Sequence, residues 1–420
     1  MNVDPGTVIV YQAPWDWTFL WNRAQPLATA LSRHAEVNYL NGGVDGPPEA
    51  WAGPARLLAR LPGGSRWHRQ RIEAVGPRLA VWMWQGLEPD PLRMIRDDRP
   101  AGHYERLRRH LRRRAAAGAR VWLLTSRPQA ARLRHLHAWD RIIVDIEDPW
   151  FDLNWGRGLN RAGVLDALRD ADVVFGNGPA IAAEYQSLSE RQVVSLPNGV
   201  DAAFLDLLGR NLPAPDFYRD AAADRRAVFT GNVNDRLDFA MLADVVAEPE
   251  WTFFFVGQDS VPPDQRQAWH HVSGRPNVRV VPPLPHREVA AVLQHADALL
   301  LPYARAGHEK MFPAKLFEYA ATGKPIVGTI DFTAGAFAIP SAVICGSAAE
   351  FRAALRRIRG GEGVLSTDAV RECAALARRN TWDSRAVEFM DRVAGSPARS
   401  RRPGGNDGQV PRHVREEAPR

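Results

Sequence analysis

The chain has 420 residues, 45% of them hydrophobic, and a formal net charge of +6. This length exceeds one ordinary hydrophobic core, which predicts two domains plus tails. No apolar run approaches the roughly 20 residues that span a bilayer, and the N-terminus lacks the basic start of a signal peptide, so we expect a cytoplasmic protein. Cys345 and Cys373 have no His or Cys at ligand spacing, which argues against a disulfide framework and a zinc site.

The positive charge is unevenly distributed. Arginine is concentrated in residues 56–71 and 93–134 and in the C-terminal tail. Such segments favour an anionic partner, and peripheral contact with an anionic membrane is one interpretation. A solvated helix face in an arginine-biased chain is the other. We do not expect nucleic acid as a partner, because residues 104–114 lack interleaved aromatic side chains and no nucleic-acid-binding motif accompanies them.

Strand-like and helix-like patterns alternate through the first half of the chain. Helical patterns cover residues 22–32, 159–169 and 179–188. Short apolar runs bounded by turn-forming or polar residues predict strands at 7–11, 35–39, 79–84, 119–125, 141–146, 171–175 and 192–195. Apolar strands that alternate with helices are typical of a parallel sheet covered on both faces.

The second half repeats this alternation. Its predicted strands are 226–230, 251–256, 278–281, 298–301 and 325–328. The sequence therefore predicts an α/β protein with two Rossmann-like, doubly wound parallel-sheet domains, in which ligands bind beyond the carboxyl ends of the strands. The predicted boundaries are a first domain at 1–205, a linker at 206–225, a second domain at 226–381, a helix packed back on a lobe at 382–395 and a disordered basic tail at 396–420.

Two segments of the second half have features of a phosphate site. In the first, the strand that ends at Thr230 leads into Gly231 and a loop that opens a helix. Glycine allows close approach to the backbone, and the free amides at a helix start favour phosphate. A tight connection without a ligand is the alternative interpretation.

The second segment covers residues 308–327 and holds every lysine of the chain, namely Lys310, Lys315 and Lys324. Lysine presents a point charge on a slim stem, which suits an oxyanion in a crowded loop. Pro313 is expected in the first turn of a helix. Glu318, three residues after Lys315, then lies on the same helical face, where its carboxylate can accept from paired hydroxyls such as a ribose diol. A surface salt bridge between Lys315 and Glu318 is the alternative.

Three runs of sequence resemble one family. They are Pro-x-Lys-Leu-Phe-Glu-Tyr-x-Ala-x-Gly-Lys-Pro-Ile-Val at 313–327, Leu-Pro-Asn-Gly-Val-Asp at 196–201 and Ala-Asp-Val-Val at 171–174. In these runs the chain is similar to the retaining glycosyltransferases of group 1 (family 4), which have the GT-B fold. It most resembles the bacterial teichuronic-acid and polysaccharide-type enzymes, which share the Gly-Asn-x-Asn-x-x-x-Asp loop found at 231–238.

The resemblance implies a reaction and a set of partners. A sugar would pass from a nucleoside diphosphate sugar to a polysaccharide, lipid-linked or small-molecule acceptor, with retention and without a metal or other cofactor. The donor would lie on the second domain, in the cleft that faces the acceptor-side first domain. The donor-binding residues implied are Gly231, Asn232, Arg236, Gly257, Leu284, His308, Lys310, Lys315, Leu316 and Glu318.

The resemblance also implies individual roles. Glu318 would hold the ribose hydroxyls, Lys315 with Gly231 and Asn232 the diphosphate, and the backbone around Leu284 the base. The second domain departs from the family pattern at two places. Many relatives carry a glutamate eight positions before Glu318, where this chain has Lys310 preceded by His308 and Glu309. His308 or Glu309 is then expected at the donor sugar, and Lys310 at the phosphates. The lysine or arginine that is usual after the first glycine of this domain is shifted, with Arg236 the nearest candidate.

Acidic residues follow a predicted strand of the first domain. Asp145, Glu147 and Asp148 lie at the end of the apolar run 141–146. In the resembled family this strand end often presents a His toward the reacting sugar, so Glu147 or Asp148 is expected there as a base or electrostatic stabiliser. Binding of a divalent cation, and helix capping or salt bridging, are the alternatives.

The loop after the first strand, residues 14–23, is rich in tryptophan. In a GT-B fold this loop faces the cleft, which makes Asp16 and Arg23 candidates for contact with the acceptor or the donor phosphate. Tryptophan rings suit sugar faces, although packing under a lobe is the simpler explanation for most of them.

Two other functions fit parts of the sequence. A sugar-nucleotide epimerase shares the GT-B layout but lacks the Lys-Leu-Phe-Glu-Tyr run. A non-catalytic nucleotide-sugar-binding scaffold protein is suggested by Lys310 in place of glutamate and by the missing His. Sugar transfer in a single turnover separates the enzyme from the scaffold.

Overall fold

The computed structural model describes residues 6–14, 16–18, 21–41, 69–85, 104–127, 131–134, 136–151, 161–219, 225–305, 310, 312–331, 337–362 and 365–397. The chain divides into two compact units. One unit comprises Met1–Leu196 and Ala386–Arg420, and the other comprises Pro197–Arg385.

The first unit is built on one twisted sheet. Its elements are β1 (Thr7–Gln12), α1 (Ala24–Leu31), β2 (Glu36–Leu40), β3 (Arg69–Gly76), β4 (Leu79–Gln85), α2 (Glu105–Ala116), β5 (Arg120–Thr125), α3 (Ala131–Arg134), β6 (Arg141–Ile146), α4 (Arg161–Asp170), β7 (Val173–Gly176), α5 (Pro179–Gln186) and β8 (Val193–Ser195). The strand order is β3-β4-β2-β1-β5-β6-β7-β8. β1 is buried along its whole length, as expected of a central strand in a parallel sheet.

Strand β3 is the part of this sheet that sequence patterning does not predict. It lies at the edge and pairs antiparallel with β4, whereas the other neighbouring strands are parallel. Arg71 and Glu73 on β3 are exposed. An edge strand with a solvated face needs no continuous apolar run, so its sequence lacks the pattern of a buried strand.

The second unit is a doubly wound parallel sheet. Its elements are α6 (Ala202–Leu208), a 3-10 helix (Asp216–Tyr218), β9 (Arg225–Thr230), α7 (Phe239–Val245), β10 (Trp251–Val256), α8 (Arg266–Ser273), β11 (Val278–Val281), α9 (His286–Gln294), β12 (Ala298–Leu301), α10 (Leu316–Ala321), β13 (Ile326–Gly328), β14 (Ala342–Ile344), α11 (Ala348–Arg359) and α12 (Thr367–Arg379). The strand order is β11-β10-β9-β12-β13-β14. The order reverses between β9 and β12, where ligands bind in such sheets.

The interior of the second unit explains why its strands are so apolar. All six residues of β10 are buried, including Trp251 and the run 253–255 of three phenylalanines. Tyr218, from the stretch predicted as a linker, is also buried and donates a hydrogen bond to the carbonyl oxygen of Val292 at 2.9 Å. The chain around Tyr218 therefore packs on the second unit.

The last helix, α13 (Trp382–Gly395), starts in the second unit and from Ala386 onward belongs to the first. Its Phe389 stacks on Phe175 of β7, with ring centroids 5.1 Å apart. The tail predicted to be disordered lies outside the described residues from position 398.

Candidate functional site

Two glycine loops meet beside the strand-order reversal of the second unit, after β9 and its neighbour β10. Gly231 follows β9 with φ +120°, and Gly257 follows β10 with φ +150°. The amide of Gly231 donates to the carbonyl oxygen of Val256 at 2.8 Å. A Cβ on Gly257 would lie 2.0 Å from the carbonyl oxygen of Gly231. Both backbone conformations therefore favour glycine, and a side chain at Gly257 would also push the two loops apart.

Lys315 occupies the space beside Gly231. A Cβ on Gly231 would lie 2.7 Å from the lysine Nζ. The ammonium donates to the hydroxyl of Tyr303 at 3.2 Å and lies 4.2 Å from the ring centroid of Phe229. Among the described residues, Lys315 has no carboxylate partner. A half-buried cation that contacts only a hydroxyl and aromatic rings is suited to an anionic ligand.

Helix α10 begins later than the sequence suggests. Lys315 is the N-cap and the helix starts at Leu316, so Pro313 lies in the turn before the helix rather than in its first turn. The amide of Leu316 donates to the carbonyl oxygen of Pro313 at 3.1 Å. The side chain of Leu316, which was predicted among the donor-binding residues, is fully buried in the core.

Glu318 contacts a residue that sequence analysis missed. Its Oε1 lies 2.9 Å from Nε2 of His286, and the imidazole stacks on Phe204 with centroids 4.5 Å apart. The alternative interpretation, a salt bridge between Lys315 and Glu318, is wrong, because Glu318 contacts His286 and Lys315 contacts Tyr303. Burial lowers the pKa of His286, but the hydrogen bond and charge of Glu318 outweigh it and leave the pKa above the ordinary value. His286 lies two residues after Leu284, whose backbone was expected to contact the base, and this closeness in sequence could have indicated His286.

The remaining donor-side candidates are placed as follows. Asn232 is half-buried, and its Oδ1 is buried without a hydrogen-bond partner among the described residues. Arg236 is half-buried in the same loop, and its carbonyl oxygen accepts from the amide of Ala304 at 2.8 Å. Leu284 packs partly buried against the core. Lys310 is half-buried, while His308 and Glu309 lie outside the described residues.

The first unit buries an ion pair beneath its own strand-order reversal. The guanidinium of Arg23 donates to Asp145 through two hydrogen bonds, at 2.9 Å and 2.8 Å. Both side chains are almost fully buried, at 4% and 1% exposure. This burial contradicts the predicted contact of Arg23 with a phosphate or an acceptor. It also removes Asp145 from the alternative cation site, because its carboxylate already binds Arg23.

Glu147 lies next to this pair, at the end of β6. It accepts a hydrogen bond from the hydroxyl of Tyr11 at 3.2 Å. Burial, followed by the neighbouring charge of Asp145, raises the pKa of Glu147 to about 8. A carboxyl that keeps its proton at neutral pH can donate that proton, which is the reverse of the expected base. Asp148, the other candidate, is half-buried beside it.

The loop after β1 divides into packing and exposed residues. Asp16 is buried, and its carbonyl oxygen accepts from the Gln25 side chain at 3.2 Å. The ring of Trp17 packs edge-on against Tyr39, with centroids 5.0 Å apart. Trp21 packs on Trp17 and is 50% exposed. Trp21 is thus the described ring of this loop that is available to a sugar face.

Comparison with known proteins identifies the second unit. Residues 224–360 match the family described as glycosyl transferases group 1. The second unit carries a group 1 glycosyltransferase domain. This glycosyltransferase domain contains Gly231, Gly257, Lys315 and Glu318.

A curated relative extends the similarity. TuaH of Bacillus subtilis (strain 168), named as a candidate teichuronic acid biosynthesis glycosyltransferase, is 28% identical over 51% of this chain. The match spans 57% of the length of TuaH. The predicted resemblance to group 1 glycosyltransferases of the teichuronic-acid type is thereby confirmed.

Solved structures match the fold over most of the chain. Sucrose-phosphate synthase from Thermosynechococcus elongatus has a TM-score of 0.64 at 16% identity, covering 92% of this chain and 98% of its own. The E. coli trehalose-6-phosphate structure bound with UDP-2-fluoro glucose has a TM-score of 0.63 at 12% identity, covering 94% and 100%. At such identities the likeness establishes the fold, and the predicted GT-B architecture is confirmed.

Within the described ranges, no helix is both long enough and apolar enough to cross a membrane.

Proposed function

We propose that this protein is a glycosyltransferase that moves a sugar from a nucleoside diphosphate sugar to an acceptor, with retention. The observation that carries the proposal is the position of Lys315, a cation with no carboxylate partner among the described residues, against Gly231 at the strand-order reversal of the group 1 domain. The structural neighbour bound with UDP-2-fluoro glucose supports a nucleotide-sugar donor.

The donor-side residues have complementary chemistry. Lys315 would stabilise the charge that develops on the diphosphate when the bond to the sugar breaks. Gly231 and Gly257 would allow the phosphates close to the backbone. Glu318 would accept from the ribose hydroxyls, since an ionised carboxylate offers acceptors only. These three roles together describe a nucleoside diphosphate with a ribose.

The acidic residues of the first unit are proposed to act on the reacting sugar or the acceptor. Glu147 holds its proton at neutral pH because burial raises the pKa of its carboxyl. It is therefore suited to donate a hydrogen bond or proton, while Asp148 beside it would stabilise positive charge. The name of TuaH, which refers to teichuronic acid biosynthesis, supports a polysaccharide acceptor.

A screen of nucleotide sugars tests the proposal. A donor that binds the folded state at 100 times its dissociation constant should stabilise the protein by about 2.7 kcal/mol, measurable as a thermal shift. The stabilising donor is then tested for transfer in a single turnover. Absence of any stabilising nucleotide sugar would contradict donor binding. Binding without transfer or hydrolysis would favour the scaffold, and isomerisation of the donor would favour the epimerase.

We also propose a cytoplasmic location with peripheral contact to an anionic membrane through α2. Leu107 and Leu111 are buried on one side of this helix. Its exposed arginines are Arg106, Arg109, Arg112 and Arg113. Among the described residues, Arg112 and Arg113 have no acidic partner. Exposed arginines without a neutralising acid, such as these two, attract anionic headgroups.

Flotation with phosphatidylglycerol vesicles tests the membrane contact. Replacing Arg112 and Arg113 by Gln should weaken association by about 2 kcal/mol, or roughly 30-fold, at about 1 kcal/mol per charge. The same replacement of the exposed pair Arg378 and Arg379 on α12 changes the net charge equally and should have little effect. Equal losses of vesicle association in both variants would show that the association depends on net charge and not on a contact through α2.

A further inference from the structure

The carboxylate proposed to hold the ribose is itself held by a histidine. Oε1 of Glu318 lies 2.9 Å from Nε2 of His286, and the two side chains are 17% and 36% exposed. This contact joins the first turn of α10 to the start of α9. One oxygen of Glu318 is thereby engaged. Its second oxygen has no hydrogen-bond partner within the described part of the chain and can accept from a ligand.

The histidine ring is fixed from a second side. Phe204 of α6 is 2% exposed, and its ring lies almost parallel to the imidazole, at an interplanar angle of 14°. The backbone of His286 is fixed as well, because it begins α9 directly after Pro285. A stacked ring with a fixed backbone has few rotamers, so Nε2 is directed at Glu318 before any ligand arrives.

The surrounding charges favour an imidazolium. Asp201, which caps α6, adds to Glu318 as a negative charge near His286. The pKa of His286 is raised above its ordinary value despite burial. A charged hydrogen bond between imidazolium and carboxylate keeps the Glu318 side chain oriented.

We propose that His286 is a positioning residue that orients Glu318 for a ribose diol and so makes this site selective for ribonucleotides over deoxyribonucleotides. The proposal rests on the proposed function and deepens it. Pre-organisation of the acceptor lowers the cost of ordering the Glu318 side chain when the ligand binds. Loss of His286 should therefore reduce discrimination at the 2′-hydroxyl more than it reduces binding of the diphosphate.

The test compares paired ligands by calorimetry: UDP with 2′-deoxy-UDP, and the corresponding GDP and ADP pairs. The wild-type protein should prefer the ribonucleotide of its cognate base by about tenfold or more. Glu318→Ala should show the lowest preference for the ribonucleotide. His286→Ala and His286→Leu should lower the preference nearly to that of Glu318→Ala. The leucine variant keeps an apolar side chain packed against Phe204. His286→Gln should restore most of the preference, since its amide Nε2 can donate to Glu318.

The control is His271→Ala, an exposed histidine on α8, which should keep the wild-type preference. Folding of each variant is checked by circular dichroism, and the leucine and glutamine variants decide the matter if alanine does not fold. Wild-type preference in His286→Leu would overturn the positioning role while the proposed function stands. Equal binding of both sugars by the wild type would overturn it too. No binding of any nucleoside diphosphate would overturn both proposals.

Discussion

Lys315 fills the space that Gly231 leaves open by having no side chain. Its ammonium is surrounded by the Tyr303 hydroxyl and the Phe229 ring rather than by a carboxylate. An isolated cation in a half-buried position is costly unless it binds an anion or reaches water. The cost is understandable if the cation is needed for a phosphate group.

We expect Lys315→Ala and Glu318→Ala to weaken nucleotide binding in different ways. Each loses a charge-assisted hydrogen bond worth about 1.5 to 3 kcal/mol. Lys315→Ala should weaken binding of the nucleoside diphosphate more than of the monophosphate, whereas Glu318→Ala should weaken both equally. Calorimetry with both ligands measures the difference. Unchanged affinities in both variants would refute the site.

The close approach of two loops predicts a cost for Gly257→Ala. Its Cβ would meet the Gly231 carbonyl oxygen at 2.0 Å in addition to the strain of φ +150°. Gly361→Ala is the control in the same unit, with φ +84° and open space around the added Cβ. Gly361→Ala should cost about 1–2 kcal/mol from strain alone, and Gly257→Ala about 1–3 kcal/mol more. Equal midpoints in urea denaturation would contradict the tight packing.

Glu147 predicts a dependence of stability on pH. Its folded pKa of about 8 exceeds the ordinary value of 4.5, so the folded state binds the proton more tightly. The contribution is fully present below about pH 4.5 and is lost as the pH rises through 8, with a slope of at most about 1.4 kcal/mol per pH unit. Glu147→Gln, which stays neutral, should lose less stability between pH 5 and 8. Parallel curves for both proteins in urea denaturation would exclude a raised pKa.

At the scale of elements, one hydroxyl joins α10 to the end of β9. Tyr319 is fully buried, and its oxygen accepts from the amide of Thr230 at 2.8 Å, one residue before Gly231. The short helix that carries Glu318 is thus attached to the strand that leads into the glycine loop. The geometry of the proposed donor site therefore depends on this attachment.

We expect Tyr319→Phe to lower both stability and nucleotide affinity. Removal of the hydroxyl leaves the buried amide of Thr230 without its acceptor, at a cost of about 1–3 kcal/mol. Tyr218→Phe is the control, since it removes a hydroxyl that donates to Val292 away from the loop. Tyr218→Phe should reduce stability alone. Denaturation and calorimetry on both variants give the two quantities, and unchanged affinity in Tyr319→Phe would reject the attachment.

At the scale of the whole molecule, each unit places its polar residues where the strand order of its sheet reverses. In the second unit this point lies between β9 and β12, close to Gly231 and Tyr303. In the first it lies between β1 and β5, close to the Arg23–Asp145 pair. The loops beyond the strands on either side turn apart there, which leaves room for a ligand.

Hydrogen exchange should locate the nucleotide in the second unit. A nucleoside diphosphate without its sugar is expected to protect amides around Gly231, Gly257 and Glu318 most strongly, because binding suppresses local opening there. Amides of β1 and β6 in the first unit serve as the internal reference. Stronger protection in the first unit would move the donor site there.

Fold and candidate site were predictable to different degrees. The segment 308–327 indicated a nucleotide site from the sequence alone, because a lysine, a helix start and a carboxylate must be spaced locally to share one face. The site assignment itself stays a prediction. Leu316 shows the limit of the pattern, since its neighbours suit a ligand while its own side chain is buried.

The sequence by itself determined the two α/β units and the group 1 resemblance, because buried parallel strands require apolar runs and phosphate loops require glycine. Only the tertiary structure decided the partners: Arg23 with Asp145, which are 122 positions apart, and His286 with Glu318, which are 32 apart. Such pairs depend on which strands become neighbours and in what register. Local spacing carries no information about that, so an arginine expected at a ligand proved to be buried, and a histidine without a motif proved to hold the key carboxylate.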